Sequence, residues 1–63
     1  MPNNLPFTVD EWDHSGENVI EVLARAQNLV IARGAFEAAC RARPQAFLTL
    51  RNRTRILETR RPA

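Results

Sequence analysis

The sequence predicts a small α+β domain of order β-α-β-β, with one long helix packed on a short antiparallel sheet. Three observations predict it. In Phe7 to Trp12, FTVDEW, Phe7 and Val9 alternate with Thr8 and Asp10 at the period of a strand, with Trp12 out of phase with the apolar pair. Glu17 to Arg43 carries most of the large apolar residues and is the only stretch long enough for regular helix. Phe47 to Arg51 and Thr54 to Thr59 are two β-rich runs around Asn52-Arg53, the pattern of a hairpin.

Size bounds what such a domain can bury. A chain of 63 residues makes one domain, and a domain this small removes only about 60% of its unfolded surface from water. Disulfides, metals or self-association are the usual supports. Cys40 is the single cysteine, so no intrachain disulfide forms, and with His14 as the single histidine no structural zinc set exists. A well-packed core or a second copy remains, and a homodimer stands level with a monomer. Hydrophobic content of 44% and charged content of 25% are those of a globular chain. The Met1 to Pro6 stretch has neither the basic nor the apolar region of a signal peptide. The apolar run Leu29 to Ala32 is too short to span a bilayer. A free cysteine in such a chain fits the reducing cytoplasm.

Residues 1–6, MPNNLP, read as a flexible lead-in to a domain over residues 7–59. The strand that follows puts Phe7, Val9 and Glu11 on one face and Thr8, Asp10 and Trp12 on the other. Asp13-His14-Ser15-Gly16 reads as the turn into the helix, with Ser15 the best N-cap and Asp13 the alternative. Glu17 and Glu21 then sit at the positive end of the helix dipole. Val19, Val22, Leu23, Ala26, Leu29 and Val30 recur at spacings of three and four, a helical repeat. At Gly34 this apolar face turns by more than a quarter-turn. The helix either breaks there, at about 1 kcal/mol for glycine against alanine, or continues with a slight bend. The helix formers around Gly34 favour continuity. A continuous helix must bury its rear face elsewhere, most simply on a second subunit, so Arg33, Phe36, Glu37, Ala39 and Cys40 are the candidate self-association surface. Arg43-Pro44 ends the helix. In the hairpin, a two-residue loop pairs Leu50 with Arg55 and a three-residue loop pairs it with Ile56; the spacing does not choose. Residues 60–63 read as a frayed basic tail.

Catalysis finds no support, and the chain reads as non-enzymatic and free of cofactors. No triad, carboxylate pair or glycine-rich phosphate loop is present. Cys40 lies 26 positions from the only base that could activate it, His14. The acid cluster Asp10, Glu11, Asp13, His14 and Glu17 matches no ligand loop and has an ordinary reason in the helix start, so no metal is expected.

Charge is the stronger signal. All nine cations are arginine, and six fall between Arg43 and Arg61 against the single carboxylate Glu58. Five of the seven acids lie in the first 21 residues. Such asymmetry speaks to partners rather than to fold. Arg51, Arg53 and Arg55 alternate toward the hairpin tip, Arg60 and Arg61 follow, and Trp12 adds an anchor of the kind found in interface hot spots. Two kinds of partner suit them. One is a protein with an acidic or nucleic-acid-binding groove, which would make the chain a bacterial or phage-type regulator, adaptor or inhibitor, including the anti-CRISPR kind. The other is nucleic acid, gripped by an arginine-rich ribbon. No aromatic follows Phe47, so base stacking has no support in the linear sequence. A structural subunit of a homo-oligomer is the third reading. The plainest alternative is that the arginines only keep an exposed strand edge from pairing with other chains.

Overall fold

A computed structural model describes residues 5–62 and gives the element order β-β-α-β-β. The elements are β1 (Phe7–Trp12), β2 (Val19–Ala26), α1 (Leu29–Ala42), β3 (Phe47–Asn52) and β4 (Arg55–Arg60). One antiparallel sheet of order β2-β1-β3-β4 carries the helix on one face. The α+β class, strand β1, the C-terminal hairpin and the helix stop before Pro44 are as expected. Residues 1–4 of the expected lead-in, and Ala63, lie outside the described residues.

The front half of the expected helix is a strand. Val19, Ile20 and Val22 are β-branched, stiff at χ1 and suited to a pleated surface. The register against β1 shifts twice, at Ile20 and at Leu23, and each shift adds one unpaired residue to β2. Val19, Val22 and Arg25 therefore occupy one sheet face at spacings of three. A twice-bulged strand thus reproduces the repeat that reads as a helix.

The cap signals ahead of it close a hairpin loop instead. Asp13 Oδ1 accepts from Ser15 Oγ at 2.8 Å and from the Glu17 amide at 3.1 Å, and Asp13 Oδ2 accepts from Asn18 Nδ2 at 3.0 Å. The Asn18 and Ser15 side chains are the main causes that hold the Asp13 carboxyl down at about 2. Gly16 turns the loop at φ 76°, and a Cβ there would stand 2.8 Å from the Phe47 ring. Both demands select glycine.

The helix starts later, at Asn28, whose Oδ1 accepts the Ile31 amide at 2.9 Å. Gly34 lies inside it and does not break it. With the helix confined to Leu29–Ala42 there is one apolar stripe: Ala32, Ala35, Phe36, Ala39 and Cys40, at i, i+3, i+4, i+7 and i+8. The apparent rotation at Gly34 joined a strand face to a helix face. A Cβ on Gly34 would meet nothing within 4 Å, so Gly34→Ala is expected to raise stability by up to about 1 kcal/mol. A lower urea midpoint for that variant would count against a continuous helix there.

Ala32 and Phe36 of the helix press onto Val9, Leu48 and Leu50 of the two central strands, with Ala26 beside them. The hairpin turn falls one residue later than expected, at Arg53-Thr54. Asn52 pairs with Arg55 and Arg51 with Ile56, and a register shift at Leu57 then aligns Leu50 with Glu58. Arg53, not Asn52, takes the left-handed conformation, at φ 56°, and its amide donates to the Pro6 carbonyl at 2.8 Å. Arg60 belongs to β4 rather than to a frayed tail. Its Nη2 donates to the carbonyls of Arg43 at 2.6 Å and Ala46 at 2.8 Å, just beyond the last turn of the helix. Free carbonyls and the negative dipole end make that a favourable place for a cation.

Candidate functional site

The sheet face opposite the helix is where the functional side chains gather. Residues opposed across antiparallel strands point to the same side, and the register orders this face into rows running from β2 to β4. The first is Arg25, Thr8, Arg51 and Ile56. The second is Val22, Asp10, Thr49 and Thr59. The third is Val19, Trp12 and Phe47, extended by Arg61, whose guanidinium carbon lies 5.0 Å from the Phe47 ring centroid.

These rows are knitted together. Trp12 Nε1 donates to Thr49 Oγ1 at 2.8 Å, and the Trp12 and Phe47 ring centroids are 6.4 Å apart. Arg51 Nε donates to Asp10 Oδ2 at 2.6 Å while its guanidinium stands 5.6 Å from the Trp12 centroid. Thr8 Oγ1 donates to the same Asp10 oxygen at 3.0 Å. The centre of the middle row is sunk between the outer two: Asp10 and Thr49 are buried although no element covers them among the described residues.

Charge sorts between the two sides of the sheet. Glu11, Glu21 and Glu58 stand on the helix side by register, facing Arg43 at 2.6 and 3.6 Å and Arg33 at 3.4 Å respectively. Among the described residues the open face holds Arg25, Arg51 and Arg61 against one carboxylate, the buried Asp10. A cleft of about 480 Å³ opens at the Trp12–Phe47 end, lined also by Glu11, His14 and Arg43. Arg43 is held by Glu11 and Glu21, so among the described residues the cleft has no unpaired arginine in its lining.

The residues singled out from the sequence do not share one surface. Trp12, Arg51 and Arg61 lie on the open face. Arg53 is in the turn, and Arg55, opposite Asn52, stands on the helix side by register, so the three hairpin arginines are divided rather than aligned. Arg60 is engaged with the end of α1. Of the candidate self-association residues, Phe36 is buried in the chain's own core, and Ala39 and Cys40 pack against that core. Arg33 meets Glu58 and Glu37 is exposed. The rotated helix face that suggested a second subunit is thus absent.

Sequence reasoning missed Arg25 and Phe47 as site residues, along with the Thr8–Asp10–Thr49 floor. One signal for the floor was present: the alternation in β1 sets Thr8, Asp10 and Trp12 apart from the core residue Val9. Among the described residues no three His, Cys, Asp or Glu side chains come together as a metal site, and no helix is long and apolar enough to cross a membrane. No protein-family model, curated protein or solved structure matches the chain.

Proposed function

We propose that the chain is a non-enzymatic, cytoplasmic binding module that takes single-stranded nucleic acid on the open face of its sheet. The observation that carries this is the sorting of charge: three arginines and two aromatic rings share a face whose only carboxylate among the described residues is buried. Sequence-tolerant binding of single strands combines a cationic surface that follows the backbone with aromatic or guanidinium planes on which bases stack. Trp12 and Phe47, 35 positions apart in the chain, supply next to Arg51 and Arg61 the aromatic interleaving that the linear order lacks. The mechanism is electrostatic capture followed by stacking, with no covalent step.

Trp12 is the only tryptophan, so its fluorescence reports binding directly. Short oligo(dT) or oligo(rU) is expected to quench it, with log K falling against log salt at a slope of about −2, or about 0.7 for each of three arginines. Arg61→Ala is expected to weaken binding about three- to tenfold and make that slope shallower. Absence of quenching at low salt, or tighter binding of duplex than of single strand, would sink the reading.

A second reading, a protein-binding regulator or inhibitor, is favoured by one feature. Val30 and Ile31 on the first turn of α1 are 84% and 60% exposed, beside Leu29 at 38%. Exposed apolar side chains in a row mark contact surfaces more often than isolated ones do.

A further inference from the structure

Asp10 is a costly residue to bury on a binding face. Its Oδ2 accepts from Arg51 and Thr8, and its Oδ1 has no partner among the described residues. A buried ion pair is a weak source of stability, and apolar replacements of such pairs are often neutral or stabilising. A buried acceptor left half-satisfied calls for another reason.

The geometry supplies one. Of the five N–H donors of a guanidinium, Arg51 gives only Nε to the protein among the described residues. Asp10 fixes that edge at 2.6 Å and Trp12 stands 5.6 Å from the guanidinium carbon. The Nη fork is left unengaged, and the side chain remains 24% exposed. A fork held in place loses less freedom when it meets a phosphate. Arg25 occupies the same row two strands away, at a backbone separation of about 10 Å. Thr8 lies between them, and Arg25 is exposed with no ion-pair partner among the described residues.

We propose that Arg51 and Arg25, facing each other across Thr8, form a phosphate subsite for the backbone of a bound strand, and that Asp10 is the positioning residue that aims the Arg51 fork into it. This rests on the nucleic-acid reading. Phosphate oxygens accept the paired N–H bonds of a guanidinium in one plane, a match that a lysine ammonium lacks.

The test turns on sign. If Asp10 acted only as a charge, Asp10→Asn would remove a repulsion and tighten binding to a polyanion. A positioning role requires the opposite. With fluorescein-labelled oligo(dT) at several salt concentrations, Asp10→Asn is expected to weaken binding about fivefold, and Arg25→Ala to weaken it similarly with a slope shallower by about 0.7. In an Arg51→Lys background, Asp10→Asn should add no further loss, since the fork it aims is gone. Asp10→Asn binding as tightly as the parent chain, or losing as much on Arg51→Lys, would overturn the subsite and leave the nucleic-acid reading standing. A parent chain that binds no oligo(dT) would overturn both. If Asp10→Asn gives no cooperative thermal melt, Arg51→Lys decides alone. It keeps the charge and loses the fork, so about a tenfold loss supports the proposal and unchanged affinity overturns it.

Discussion

Arg51→Ala is expected to leave most of the chain unfolded at room temperature. The change strips the partner from Asp10, whose side chain has no exposure, while Arg51 itself is 24% exposed. Removing one member of a buried pair costs about 3–5 kcal/mol because the charge left behind has neither water nor a counter-ion. A core of this size supplies roughly the same amount in total. The reverse change is expected to be mild. Asp10→Asn keeps the shape and an acceptor for Arg51 Nε, and the guanidinium it loosens already reaches solvent, so the cost is about 1 kcal/mol. The asymmetry is the prediction. Urea unfolding of the two variants should separate them by at least about 2 kcal/mol. Equal costs would mean that water reaches Asp10 in solution, and the case for a fork held from beneath would weaken with it. Because of this cost, Arg51→Lys rather than Arg51→Ala is the change suited to binding measurements.

Why some of this architecture was legible in the sequence and some was not can be traced to particular residues. β1 was legible because Phe7 and Val9 alternate with Thr8 and Asp10 in a run of β-favouring residues, and Arg43-Pro44 marked the end of the helix because proline restricts the residue before it. β2 was not. Its extra residues at Ile20 and Leu23 shift the register twice, and a period of two interrupted in this way becomes a period of three. The β-branched Val19, Ile20 and Val22 suit a strand, but the Asp13-Ser15-Gly16 turn, with glutamates after it, imitated a helix start. Polar side chains that cap a helix also close a hairpin loop, because both expose unpaired amides. The candidate site was harder still. Trp12 and Arg51 were visible as types, yet their meeting depends on β1 lying next to β3, a neighbourhood created by the crossover through α1. The division of Arg51 and Arg55 follows from the two-residue turn, which opposes Asn52 to Arg55; a three-residue loop, which the spacing equally allowed, would have set Arg51 opposite Arg55 on one side.

The helix is the other place where one side chain decides a great deal. Phe36 is 8% exposed and is the only aromatic that α1 contributes to the core it shares with Val9, Leu48 and Leu50. Phe36→Ala leaves a cavity over two central strands and is expected to cost about 3–5 kcal/mol, a large share of the stability of a domain this small. The loss should reach the binding face as well. α1 shields Val9, Leu48 and Leu50, and these alternate along β1 and β3 with Thr8, Asp10, Thr49 and Arg51 on the other side. A sheet that loses its cover on one side cannot hold a register on the other. A residue that serves its own core and one that serves a seam between copies give different concentration dependence. If Phe36 completes the core of a single chain, the parent's unfolding midpoint is the same at low and high protein concentration, and the cost of Phe36→Ala does not change with it. A midpoint that climbs with concentration in the parent and not in Phe36→Ala would return Phe36 to a contact between copies, and Ala39 and Cys40 beside it.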